Sequence, residues 1–148
     1  MEDKRITKTK RALKSALLEL LTTQAFDAIS ITELCKIANV SRITFYTHYK
    51  DKFALLDDIF NDMLIIGKEG YHRRQEENNP ENNLTQGYLN VLDSILSLYY
   101  ERYDFFQHVV PETNPYLAFR FYRILLDTVE SHTDKLKASY SLKYSARQ

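Results

Sequence analysis

Ser30-Ile-Thr-Glu-Leu-Cys-Lys-Ile-Ala-Asn-Val-Ser-Arg-Ile-Thr-Phe-Tyr-Thr-His-Tyr-Lys-Asp-Lys52 holds three helix starts and one tight turn. Ser30 followed by Glu33 has the form of a capping box, in which each side chain accepts the other residue's backbone N–H. Leu34, Cys35 and Ala38 share one face, so the spacing predicts a helix over 31–38. Asn39 falls at the turn, where the chain enters the left-handed region that Asn tolerates best after Gly. Ser41 caps a third helix that runs to about His48, and Asp51 caps a fourth. Two short helices joined this way lay the first across a DNA backbone and put the second in the major groove. Cys35 is small enough for the helix crossing, Val40 and Phe45 supply buried contacts, and Arg42, Thr44, Thr47 and His48 are left pointing outward.

Upstream, Leu13, Ala16, Leu17, Leu20 and Leu21 predict a first helix from about Lys8 to Leu21, capped by Thr7 or Thr9. Its start is basic: Lys4, Arg5, Lys8, Lys10, Arg11 and Lys14. Positive charge there opposes the helix dipole, and bound phosphate would compensate. Gln24 to Ile29 reads as a connection with Phe26 and Ile29 turned inward. Downstream, Phe53, Leu56, Phe60, Met63 and Leu64 give helix four an apolar stripe that Gly67 and Gly70 weaken at its end. Glu76 to Asn83 reads as a polar loop. Helix five, about Leu84 to Tyr103, has Tyr88, Val91, Leu92, Ile95 and Tyr99 on one face. A short segment from Phe105 to Val110 precedes a break at Pro111 to Pro115. A last helix from about Tyr116 to beyond Leu136 carries Leu117, Phe121, Leu125 and His132 in register. The fold class is therefore all-α, with no internal repeat and no strand signal.

The chain has 148 residues, 44% of them hydrophobic, with three Gly and three Pro. That suits one domain, or a small domain with a helical extension, and favours long helices over a turn-rich β fold. Net charge is zero, but its distribution is uneven. Residues 1–52 carry ten Lys/Arg against six Asp/Glu, a net of +4, and residues 53–148 carry ten against fourteen, a net of −4. A basic first part is a hint of a nucleic-acid-binding end. The single cysteine, Cys35, excludes an intrachain disulfide and a Cys-rich zinc site. The opening Met1-Glu-Asp-Lys-Arg5 is not that of a signal peptide, and apolar runs are far shorter than a membrane span. No membrane association and a cytoplasmic location follow as expectations.

Residues 7–56 resemble the DNA-binding domain of the TetR family of bacterial transcriptional regulators. The resemblance rests on the string Ile31 to Leu56: Val40-Ser41 opening the recognition helix, the Phe45-Tyr46 pair, Tyr49 three residues on, and Lys52 opening helix four. It covers about a third of the chain. Asn39 departs from the family's usual Gly, and Ile43 from its usual small residue. The resemblance implies a helix-turn-helix head over 1–52 and a helical regulatory and dimerisation part over 53–148, joined by helix four.

Residue chemistry then assigns DNA-binding roles. Arg42 suits a bidentate contact to guanine. Ile43 either meets a thymine methyl or packs on the backbone. Thr44 and Thr47 bond bases or phosphates, and Ser41 caps the helix beside them. Tyr46 resembles the family's phosphate-contacting Tyr. Thr32 and Lys52, at the starts of helices two and four, offer phosphate contacts, and Lys8 and Arg11 reach flanking phosphates. His48 is either a phosphate donor or a solvated residue. Tyr49 reads as core between helices one and four, and Cys35 as core because a redox sensor wants an exposed thiolate.

In the family, the later helices form a bundle that usually binds an inducer and dimerises. Tyr88, Tyr99, Tyr103, Phe106, Phe121 and Tyr122 either line such a small-molecule site or fill a helical core. His108 and His132 lack partners at metal-ligand spacing, so no metal and no cofactor are expected. No Gly-rich phosphate loop, nucleophile elbow or catalytic His/carboxylate set occurs, which argues against an enzyme. Many family members run longer and end in two dimerising helices. The chain's end at Gln148 implies that these are either absent or replaced by helices six and seven. The tail from Lys135, with Leu136, Leu142 and Tyr144, is either a partner surface or a frayed end. The expected partner is double-stranded DNA, met as a homodimer that acts as a repressor. The alternative is a DNA-binding adaptor whose second half docks a protein.

Overall fold

The computed structural model describes residues 4–137. These form α1 (Lys4–Leu21), a 3-10 turn (Phe26–Ala28), α2 (Ile31–Ala38), α3 (Arg42–His48), α4 (Lys52–Asn78), α5 (Leu84–Glu101), α6 (Tyr103–Phe106) and α7 (Pro115–Lys137). No strand occurs among the described residues.

The three caps of the head form as the sequence implies. Ser30 Oγ accepts from the Glu33 N–H at 3.2 Å, and the Glu33 carboxylate accepts from the Ser30 N–H at 2.9 Å. The Ser30 hydroxyl also donates to the Glu33 carboxylate at 2.6 Å, and this bond, with the one from the Ser30 N–H, holds the Glu33 carboxyl below its ordinary pKa. Asn39 ends α2 at φ 54°, ψ 47°, the left-handed conformation expected of it. Ser41 Oγ accepts from the Thr44 N–H at 3.0 Å, and Asp51 Oδ1 from the Ala54 N–H at 2.8 Å. The two helices of the motif therefore begin and end where their side chains satisfy the orphan backbone groups.

One connected core runs through the molecule. Leu13, Leu17, Leu34 and Phe45 of the head join Leu55, Leu56, Ile59, Phe60 and Met63 of α4, then Phe105, Phe106 and Leu117. Full burial of such a side chain stabilises by about 1.5–3 kcal/mol, so this cluster dominates the stability of the head. Phe26 and Ile29 are buried, as is Cys35, whose thiol pKa is raised by burial.

Several boundaries differ from the sequence reading. α1 starts a turn earlier, at Lys4, so Thr7 and Thr9 lie inside it rather than capping it, and the Thr9 hydroxyl donates to the Arg5 carbonyl at 2.9 Å. α4 does not fray at Gly67 and Gly70 but continues to Asn78. An interior Gly costs about 1 kcal/mol against Ala, and tertiary contacts on both sides outweigh it. Ile59, Phe60 and Met63 are buried before the glycines. After them, Arg74 donates to Ser97 Oγ at 2.7 Å, and Asn90 to Gln75 and Asn78 at 2.6 and 2.8 Å. Phe53 and Leu64 lie at the edge of the stripe, and Leu55 and Ile59 share its buried centre. The polar loop shrinks to the few residues after Asn78, with buried Asn79 bonding Gln75 and Asn83 across it.

α5 meets the expectation in part. Tyr88, Val91 and Ile95 of the expected face are half-buried, Leu92 and Tyr99 face outward, and the most buried residues are Gly87, Asn90 and Ser94. It ends at Glu101, and the short helix before the proline break is Tyr103–Phe106 rather than Phe105 to Val110. α7 begins at Pro115, a residue suited to a first helical turn. The tail residues Leu142 and Tyr144 lie outside the described residues. No described helix is long and apolar enough to cross a membrane.

Candidate nucleic-acid interface

α3 has one buried and one open face. Phe45 and Tyr49 are buried, with ring centroids 5.8 Å apart. The Tyr49 hydroxyl donates to Asp58 Oδ2 at 2.6 Å, and Lys14 Nζ lies 3.1 Å from the same oxygen. Tyr49 thus ties the end of α3 to both α4 and α1. Burial raises the Asp58 pKa, but the bonds from Tyr49 and Lys14 outweigh it and hold the carboxyl below its ordinary range.

Opposite this anchor, Arg42, Ile43, Tyr46 and Thr47 are exposed, Ile43 by 80%. Tyr46 stands edge-on to Phe45 at 5.4 Å, which steers its hydroxyl end away from the core. The threonines are partly committed to their own helix. Thr47 donates its hydroxyl to the Thr44 carbonyl at 2.7 Å, and Thr44 Oγ1 lies 2.8 Å from Ser41 Oγ. In this state Thr47 presents only acceptor lone pairs, which suit a base amino group rather than a phosphate. His48 is half-buried beside Tyr49. Thr32 is exposed at the start of α2, and Lys8 and Arg11 are exposed one turn apart on α1.

Lys52 is engaged elsewhere. Its Nζ donates to the carbonyls of Phe26, Asp27 and Ile29 at 2.9, 2.8 and 2.8 Å, which uses all three ammonium donors. The ammonium also lies over the Phe26 ring, 4.9 Å from its centroid. Burial lowers its pKa, with Asp27 and Glu33 acting in the opposite sense. Lys52 therefore fastens the α1–α2 connection to the start of α4, a role its place in the motif did not announce.

The same connection is gripped from the far end of the chain. Asn114 Oδ1 accepts the Phe26 N–H at 2.6 Å, and Asn114 Nδ2 donates to the His108 carbonyl at 3.0 Å. Tyr116 stacks on Phe26 at 5.8 Å and meets Phe53 edge-on at 4.9 Å. Arg120 pairs with Asp57. Asn114 was not singled out from sequence, because a polar residue before a proline reads as ordinary loop.

A cavity of about 550 Å³ lies among α4, α5, α6 and α7. Of the six residues proposed for a ligand site, Phe106 and Phe121 line it. Tyr88 is half-buried outside the lining, and Tyr99, Tyr103 and Tyr122 stand on the surface. The remaining wall is apolar side chains of α4, α5 and α7, with Lys68, Tyr71, His72, Ser94, Asp127, Thr128, Ser131 and His132 as polar groups. The aromatic count in the sequence could not separate these two environments, because both faces of α5 carry large side chains.

Residues 13–59 match the family model described as bacterial regulatory proteins, tetR family. That span runs from within α1 into the first turns of α4. A segment of 58 residues is 40% identical to the uncharacterized HTH-type transcriptional regulator YxbF of Bacillus subtilis (strain 168). The match covers 39% of this chain and 14% of that protein.

Proposed function

We propose that this chain, a DNA-binding transcriptional regulator that belongs to the TetR family by its head, works as a homodimeric repressor on a two-fold symmetric operator and is released by a small molecule. The outer face of α3 carries this reading. An isoleucine 80% exposed beside Arg42 and Thr47 gains nothing from water but gains apolar contact from a thymine methyl. Arg42 reads a guanine, and Thr44 and Thr47 bond base edges. Ser41, Tyr46, His48 and Thr32 contact phosphates, and Lys8 and Arg11 meet the flanking backbone. Residues 1–52 supply the reading head, and residues 53–148 supply pairing and regulation in the bacterial cytoplasm.

One head reads few base pairs, so a dimer with half-sites about 34–36 Å apart supplies affinity and specificity. The cavity supports ligand control. Its volume falls in the range of small-molecule sites, and its apolar wall, interrupted by polar groups that include Lys68 and Asp127, suits a compact apolar ligand bearing polar groups. Phe106 and Phe121 in that wall lie close in sequence to Asn114 and Tyr116, which grip the head. A ligand that favours a different α6–α7 arrangement would shift the heads by its differential affinity for the two arrangements.

Selection of bound duplexes from a random library, with Arg42→Ala as control, tests the reading. A two-fold symmetric motif lost in the control is expected. No enrichment by the wild-type chain would overturn it.

A further inference from the structure

α5 carries large side chains on both sides. Toward the body it buries Gly87, Asn90 and Ser94, with Leu98 packed on the core and Val91 and Ile95 lining the cavity. Its opposite face presents Leu89, Leu92, Leu96, Tyr99 and Tyr100, continued past the helix end by Tyr103, with exposures between 38% and 77%. Leu89, Leu92, Leu96, Tyr99 and Tyr103 repeat at the alternating three- and four-residue spacing of a helix–helix seam. The tyrosine end is held in place, since Tyr99 stacks on buried Phe106 at 5.5 Å and meets Tyr103 at 5.9 Å.

We infer that this stripe of α5 is the surface through which two copies of the chain pair, antiparallel about a two-fold axis near Leu96. The inference rests on the homodimer reading above and names its contact surface. Three observations favour a second copy as the occupant. Six large side chains, each 38–77% exposed, form one contiguous apolar stripe rather than the scattered apolar residues of an ordinary surface, and a stable interface needs such a patch, about 800 Å² from each partner. Its composition is polarised, with leucines in the first half and tyrosines in the second. An antiparallel pair lays each copy's leucines on the other's tyrosine rings, leaves the hydroxyls at the wet rim, and closes with the same patch on both sides. Lastly, α5 has no Lys or Arg along its length, and the one at its end, Arg102, pairs with Asp104, so the stripe lacks the basic cluster that an anionic membrane surface requires.

Sedimentation equilibrium on the full chain tests this, with Leu92→Glu/Leu96→Glu compared with Ile65→Glu, an equally exposed site on α4. The wild type and Ile65→Glu are expected at about twice 17.5 kDa, and the double variant at 17.5 kDa with unchanged helical circular dichroism. Mild oxidation of Leu96→Cys should give a disulfide-linked dimer, and Ile65→Cys should not. Native Cys35 is buried and does not interfere. The cross-link decides the matter if the double variant misfolds. A wild-type dimer that survives the double substitution, or forms no Leu96→Cys cross-link, overturns the surface and leaves the homodimer reading standing. A wild type that stays monomeric free and on operator DNA overturns both.

Discussion

The side-chain oxygen of Asn114, just before α7, accepts the backbone N–H of Phe26 at 2.6 Å across 88 residues of sequence. Phe26 lies in the 3-10 turn between α1 and α2, so this bond ties the segment before α7 to the connection between the first two helices. Asn114 is buried, so no water replaces it readily. Asn114→Ala leaves the Phe26 N–H and the His108 carbonyl without their partner. A loss of about 1–3 kcal/mol is expected in urea unfolding. A change below a few tenths would mean that the contact does not hold the head.

Lys52 separates two roles that salt titration tells apart. A phosphate contact contributes to the slope of log affinity against log salt, and a clamp on carbonyls does not. With its donors on Phe26, Asp27 and Ile29, Lys52→Met should destabilise the fold by about 1–3 kcal/mol. The salt slope of operator binding should stay as in the wild type. A slope flattened by about one with stability unchanged would return Lys52 to the phosphate backbone.

Arg42 is exposed on the outer face of α3, the face proposed to read base edges. Arg42→Ala should weaken the selected site by about 1–3 kcal/mol and relax preference at one base pair, with thermal stability unchanged. Competition binding on single-base variants of the site reads this directly. Equal losses on every sequence would make Arg42 a backbone contact.

Asp58 gives the head an acid limit. Its folded pKa is depressed below the ordinary 3.8, because the bonds from Tyr49 and Lys14 outweigh burial. A depressed acid contributes stability above its unfolded pKa and loses it as pH falls through the folded value. Stability should therefore be level above about pH 5 and fall below about pH 4. Asp58→Asn should cost about 1–2 kcal/mol at neutral pH and flatten that acid decline. Paired urea titrations at pH 7 and pH 3.5 measure it. An acid slope identical to the wild type would assign the decline to other carboxylates.

The helix-turn-helix was legible in the sequence because its determinants are local. Ser30, Glu33, Ser41 and Asp51 satisfy backbone groups three residues away, and Asn39 adopts its own left-handed turn. Such contacts need no knowledge of the rest of the chain. The buried face of α3 was legible for the same reason, since Phe45 and Tyr49 lie one turn apart.

What only the tertiary structure decided depends on residues far apart in sequence. α4 passes through Gly67 and Gly70 because Asn90 and Arg74 bond across the α4–α5 contact, which no local propensity reports. α5 buries Asn90 because Gln75 and Asn78 of α4 satisfy it, so apolar periodicity, which rightly turned Tyr88, Val91 and Ile95 inward, could not report that a polar residue is the most buried on the helix. Lys52 turned to three carbonyls because the 3-10 turn presents them together beside the start of α4. Capping and helical period act over three or four residues and can be read from the chain. The partner of a buried polar group is chosen by the packing of whole helices.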